Sequence, residues 1–181
     1  DYTFKISPMS FYQVNPIQAE ALYNIALENA NLNENDILFD LYCGIGTIGI
    51  FAAKSVKKVY GIEIVEQAIE DAKENAKINN VDNIEFYSGD VEKVLANLLE
   101  KKQIYPNVVI VDPPRKGLEK NTIETILAVK PEKVVYISCN PATMARDLEM
   151  MSEEYEIKEI QPVDMFPFTS HVECVCVLKL K

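Results

Sequence analysis

The apolar positions of the chain fall into short runs, and most runs are followed by a longer segment with helical spacing. Residues 37–41, 56–63, 84–87, 108–111 and 134–138 have the β-branched and aromatic content of buried strands. Asn15-Pro16 supplies a cap and a proline at the first helical position. Behind it Ile17, Ala21, Leu22, Ile25, Ala26 and Ala30 form one stripe. Val65, Ala68, Ile69, Ala72 and Ala76 form a second stripe, with Glu70 and Lys73, and Glu74 and Lys77, spaced to pair across its solvent side. Further helices are expected near 91–101 and 119–129, and after Asn140-Pro141. Residues 2–14 read as extended, passing into the loop SPMSFYQVN. The last two runs, 155–163 and 174–180, are joined by MFPFTSHVE, which leaves no room for a helical crossover, so they should be antiparallel. The pattern predicts an α/β fold: a mostly parallel seven-stranded sheet, a C-terminal antiparallel hairpin, and helices on both faces.

Length and charge narrow this picture. The 181 residues suit one domain, 1–181, in which 1–15 is an N-terminal extension. No apolar run approaches the ~18 residues of a membrane span, and no signal peptide opens the chain. A net charge of −10 argues against a grip on nucleic acid through overall charge, leaving Arg115, Lys116 and Lys120 as a local basic cluster or a solvated surface. The start at Asp1, without Met, reads as a fragment of something longer. The four cysteines show no CxxC spacing, and Cys174 and Cys176 share one strand face as core residues. Free thiols, a reducing cytoplasm, no metal and a monomer are expected.

Two strand ends carry candidate chemistry. After residues 37–41, Gly44-Ile45-Gly46-Thr47-Ile48-Gly49 matches the GxGxxG nucleotide fingerprint, and Glu63 ends the next strand, where an acid binds ribose hydroxyls. A purely structural glycine turn gives the same letters. NAD and S-adenosylmethionine are separated by Asp40. A carboxylate there opposes a pyrophosphate but suits the ammonium of a methionine moiety. Asp90, after the third strand, adds a third acid able to reach an adenine amino group, and together these favour S-adenosylmethionine. At the other strand end Cys139 lies between a strand and a helix start. It is either a small buried apolar residue or a thiolate favoured by the helix terminus. His171, the only histidine, suits acid–base work or structure, and Cys43 reads as structural.

The segments FYQVN (11–15), DLYCGIGTIG (40–49), DPPRKG (112–117), SCNPATMARD (138–147) and MFPFTSHVE (165–173) span nearly the whole chain. In them the chain resembles the catalytic domain of RNA uracil-C5 (5-methyluridine) methyltransferases, a Rossmann-like fold. SCNP with a downstream HVE is the specific part. SCNPATMARD is more similar to the 23S ribosomal RNA type than to the transfer RNA type. The resemblance implies S-adenosylmethionine-dependent methylation of a uridine in RNA, with S-adenosylhomocysteine as product. It assigns Cys139 as the nucleophile that adds to carbon 6 and Glu173 as the base. Gln13, Tyr42, Glu63 and Asp112 match cofactor contacts, and Thr47 and Asp90 match further cofactor-side positions, beside Asp40 and Gly44 of the loop. Asp112 or Arg115 would steady the uracil edge. The family's N-terminal OB-like TRAM domain and its central segment, often with iron–sulfur cysteines, are not in this sequence, so no cluster is expected here. Phe168 stands where relatives often have another polar residue or His. Two other functions compete: methylation of an amino group on a nucleic-acid base, for which DPPR is suggestive, and a non-catalytic cofactor- or RNA-binding domain.

Overall fold

The computed structural model describes residues 2–8, 13 and 15–181. Its helices are α1 (Pro16–Ala30), α2 (Thr47–Ala52), α3 (Glu66–Ile78), α4 (Val91–Ala96), α5 (Lys120–Val129) and α6 (Pro141–Met151). Its strands are β1 (Ile37–Leu41), β2 (Lys58–Glu63), β3 (Ile84–Ser88), β4 (Val108–Val111), β5 (Lys133–Ser138), β6 (Tyr155–Val163) and β7 (Glu173–Leu180). They form a seven-stranded mixed sheet in the order β3-β2-β1-β4-β5-β7-β6. β4 is buried at every position, and β1 and β5 at all but their first, so helices must cover both faces. The chain divides into two compact units, Asp1–Tyr12 with Leu32–Asn107, and Gln13–Asn31 with Val108–Lys181.

In the first unit β1, β2 and β3 are parallel neighbours. Residues 2–8 are extended as expected, but they lie along α3 rather than joining the sheet. The backbone N–H groups of Thr3, Lys5 and Ser7 donate to Asn79, Asn75 and Asp71 at 2.9, 2.6 and 3.1 Å. A two-residue step along the extended chain thus matches a four-residue step along the helix. This changes one expected ion pair. Glu70 pairs with Lys73, whereas Glu74 is taken by Lys5 instead of Lys77. The helix expected near 91–101 is α4 followed by a wide π-type turn, Asn97–Lys101.

In the second unit β4 and β5 are parallel, and β7 inserts antiparallel between β5 and β6. The closing hairpin is therefore present, with its later strand on the inside. α1 lies against β5, β6 and β7. Asn15 caps it by accepting from Gln18 N at 3.3 Å, while its amide donates to Met165 O at 3.1 Å. β6 is an edge strand broken by a bulge between Ile157 and Glu159 and lined with exposed charge, devices that discourage pairing with another chain. Among the described residues no helix is long and apolar enough to cross a membrane.

Candidate active site

In the first unit the chain leaves β1 through a tight turn. Tyr42 takes a left-handed conformation (φ 64°), as do Gly44 and Gly46. Gly46 is required on space as well, because an added Cβ would stand 2.8 Å from the Phe86 ring. Asn75 supports the turn by donating to Ile45 O at 3.2 Å, and Cys43 N donates to Ile62 O at 3.0 Å. Glu63 spans the turn from the end of β2. Its two oxygens accept from Gly44 N (3.2 Å) and Val65 N (2.9 Å). Thr47 is buried at the start of α2, and Asp90 caps α4 through Glu92 N and Lys93 N.

Asp40 sits under this turn with no exposed surface. Its Oδ2 accepts from Gly49 N at 2.8 Å, while Oδ1 has no hydrogen-bond partner among the described residues. Burial pushes its carboxyl up to about 7, the Gly49 bond opposes this, and the nearby Glu63 charge adds to it. An orphaned buried acceptor carries a desolvation cost that an arriving N–H donor would remove. Beside it, the Cβ position of Gly44 opens on empty space. These acceptors fit a cationic ligand with an ammonium group, which the two neighbouring acids attract, whereas they would repel a pyrophosphate. Cys43 is buried beside the same acids, and burial first, then Asp40 and Glu63, drive its thiol well upward, which makes it inert.

In the second unit the site is assembled by strand register. The β5–β7 register ends at Ser138 and Cys174; Cys139 follows as the first residue beyond β5, at the end of the sheet where Glu173 opens β7 and pairs with Val163 of β6. Asn140 is the N-cap of α6, accepting from Ala142 N at 3.2 Å, and Ser138 Oγ accepts from Asn140 N at 3.0 Å. Cys139 lies in a cavity of about 230 Å³ with Arg115, Asn140, Pro141, Ser170, His171 and Val172. Burial pushes the Cys139 thiol up, the Glu173 and Asp112 charges push it further, and Arg115 and a backbone hydrogen bond pull it down. Burial and the two acids thus oppose the pull of the helix terminus on this thiol. Glu173 is 3% exposed; burial raises its carboxyl and Arg115 lowers it.

Arg115 is held by a network that sequence reasoning missed. Its carbonyl accepts from Asn140 Nδ2 (3.1 Å) and Thr143 Oγ1 (3.2 Å), and the Lys116 carbonyl accepts from Arg146 at 2.9 Å. Beneath them buried Asp147 accepts from Leu118 N (2.8 Å), Tyr136 Oη (2.7 Å) and the Arg146 guanidinium (2.6 and 2.8 Å). Gly117 (φ 80°) passes so close that a Cβ would be 2.5 Å from Asp147 Oδ2. A signal was available: Asp147 lies on the apolar stripe of Met144, Leu148 and Met151, where a charge needs partners. The expected basic cluster is partly neutralised, since Lys116 pairs with Glu119 and Lys120 with Glu124. Cys174 and Cys176 are buried and free, and among the described residues no group of acids, cysteines and histidine could hold a metal. Gln13 is buried and Asp112 half-buried, both in this second unit. Phe11, Tyr12 and Val14 of the FYQVN segment lie outside the described residues.

Residues 1–181 match the tRNA (uracil-5-)-methyltransferase family along the whole chain. The chain belongs to that family. Similar curated members include uncharacterized RNA methyltransferases of Oceanobacillus iheyensis (54% identical over the full chain) and Clostridium tetani (52% over 98% of it). The chain spans 39% of the length of each. Among solved structures, Pyrococcus abyssi tRNA (uracil-54, C5)-methyltransferase in complex with S-adenosylhomocysteine aligns with TM-score 0.82 and 40% identity. That alignment covers 98% of this chain and 42% of the archaeal one. The fold is shared more widely: an M. jannaschii tRNA m1G37 methyltransferase aligns over 99% of this chain and 54% of its own, with TM-score 0.71 at 21% identity. This uracil-5-methyltransferase family membership agrees with the resemblance carried by SCNPATMARD and HVE.

Proposed function

We propose that the chain is the catalytic domain of an S-adenosylmethionine-dependent methyltransferase acting on carbon 5 of a uridine in RNA. The observation that carries this is that Cys139 follows the end of β5 and Glu173 opens the neighbouring β7, each within reach of the Arg115 charge. Carbon 5 of uracil is too weak a nucleophile to accept a methyl group unaided. Cys139, once deprotonated, adds through sulfur to carbon 6, and the ring electrons move to carbon 5 and oxygen 4 as an enolate. When bound, S-adenosylmethionine supplies an electrophilic methyl group to that carbon. Glu173 then takes the carbon 5 proton, the carbon 5–carbon 6 double bond re-forms, and Cys139 leaves as thiolate. Arg115 favours the ionised form of both groups and would offset the developing enolate charge.

In the first unit Asp40 would hold the ammonium group of the cofactor, Glu63 the ribose, and Tyr42, Gly44, Thr47 and Asp90 its remaining surface. Gln13 and Asp112 match cofactor contacts by family position. The local sequence around Cys139 supports 23S ribosomal RNA as substrate over transfer RNA. The four free thiols support a reducing, cytoplasmic setting, and a monomer is the simplest assembly. The decisive experiment supplies the whole protein with methyl-labelled cofactor and total RNA, then maps the labelled base. Label at carbon 5 of a 23S uridine is expected. Label on transfer RNA would change the substrate, and label on an amino group, or none, would refute the reaction.

A further inference from the structure

We propose that Phe168 is a nucleobase-stacking residue, contacting an RNA base next to the uridine that enters the Cys139 cavity; this rests on the reading above that the substrate is RNA. Phe168 is 108% exposed, the most exposed large apolar side chain among the described residues. Its backbone is left-handed, φ 70°, which an aromatic side chain adopts only at a cost. The two penalties fall on one residue, and folding rewards neither. Strain of this kind gathers at ligand clamps, where a bound partner offsets it.

The surroundings hold the turn in this shape. Thr169 N and Oγ1 both donate to Phe166 O at 3.1 and 2.8 Å, and His171 N donates to Thr169 Oγ1 at 3.2 Å. The Phe166 and His171 rings meet edge to face with centroids 6.5 Å apart. Phe166 and His171 therefore anchor the two ends of the turn, and Phe168 is the ring left at its tip. Ser170 and His171 line the cavity of Cys139. Phe168 and Ser170 are two peptide units apart, so their Cα atoms are within about 7.6 Å. An aromatic face at that range suits a base adjoining the one being modified. A uridine leaving a stack exposes the faces of its neighbours, and stacking on an aromatic ring recovers part of that loss. Stacking asks for no particular base and little positive charge, which agrees with a chain of net charge −10.

The test compares wild type, Phe168→Ala, Phe168→Trp and Phe168→Gly in the whole protein. Binding of a fluorescent single-stranded oligouridylate of about ten nucleotides is followed by anisotropy, and unfolding by heat. Loss of one stacked base predicts affinity about 5- to 100-fold weaker for Phe168→Ala and Phe168→Gly, with Phe168→Trp restoring it. Phe168→Gly removes the backbone strain, so its melting temperature should equal or exceed that of wild type. Unchanged affinity in Phe168→Ala, no binding of the oligonucleotide by wild type, or a lower melting temperature with unchanged affinity would each overturn the proposal. The last would instead mark a contact within the protein. Methyl transfer by wild type is scored separately. Transfer with Phe168→Ala binding RNA normally rejects only the stacking role, whereas stacking without transfer rejects only the reaction.

Discussion

Ser138, the last residue of β5, faces Cys174 of β7; Cys139 follows the first and Glu173 precedes the second. Burial is the main reason the Cys139 thiol is raised, and the Glu173 carboxylate adds to it. On the proposed mechanism the two groups would act in turn: the sulfur ionised for attack, then the carboxylate ionised for proton removal.

Removing either group should separate the two steps. Cys139→Ala is expected to abolish methyl transfer and any protein–RNA adduct while leaving the melting temperature nearly unchanged. Glu173→Gln should slow turnover by about 10²- to 10⁴-fold and let an adduct accumulate, visible as a shifted band on denaturing gels. Normal turnover by Cys139→Ala would eliminate covalent catalysis.

Alkylation of Cys139 by iodoacetamide reports its ionisation. The thiol is pushed above the ordinary range, so the rate should keep climbing through and beyond the pH at which free cysteine levels off. Glu173→Gln removes a negative neighbour and should move the curve to lower pH. Arg115→Ala removes the one stabilising cation and should move it higher. A curve that ignores both substitutions would contradict the electrostatics.

Asp40 gives a prediction about folding and cofactor together. Its folded value of about 7 lies above that of an ordinary carboxyl, so the unfolded chain loses the proton first. Stability should fall as pH rises from the ordinary carboxyl range to about 7, by up to on the order of 4 kcal/mol. Asp40→Asn should abolish that slope and stabilise the ligand-free protein at pH 8 in urea titrations. In wild type, S-adenosylhomocysteine should bind more tightly as pH passes through 7. Calorimetry should find that trend missing in Asp40→Asn.

The support under Arg115 can be tested by unfolding. Asp147→Ala strands Tyr136 Oη, Leu118 N and the Arg146 guanidinium, and should cost roughly 3–5 kcal/mol. Tyr136→Phe removes one donor and should cost about 1–2 kcal/mol. Gly117→Ala should also destabilise, through its left-handed backbone and its collision with Asp147. Equal stability of all three with wild type would show that the network is ornamental.

Strand and helix order, the antiparallel ending and the proline-started helices were legible because each depends on local pattern. The candidate chemistry was legible in its residue types, since Cys139, Glu173, Asp40 and Glu63 all stand at strand ends. What sequence could not supply was the insertion of β7 between β5 and β6, a long-range choice that puts Glu173 beside Cys139. Nor could it show that Lys5 takes Glu74 from Lys77, because the rival lies far away in the chain. The raised Cys139 thiol was missed for a similar reason: a helix terminus is a local feature, whereas burial and two distant carboxylates are not.

The inside position of β7 has a consequence for synthesis. Translation delivers β5 and β6 first, and the gap between them is filled only by a segment made after both. A ribosome-bound chain that already displays its sulfur therefore lacks the neighbouring acid. Of the three strands β7 is made last, so the candidate acid can join the candidate thiol only when that strand docks.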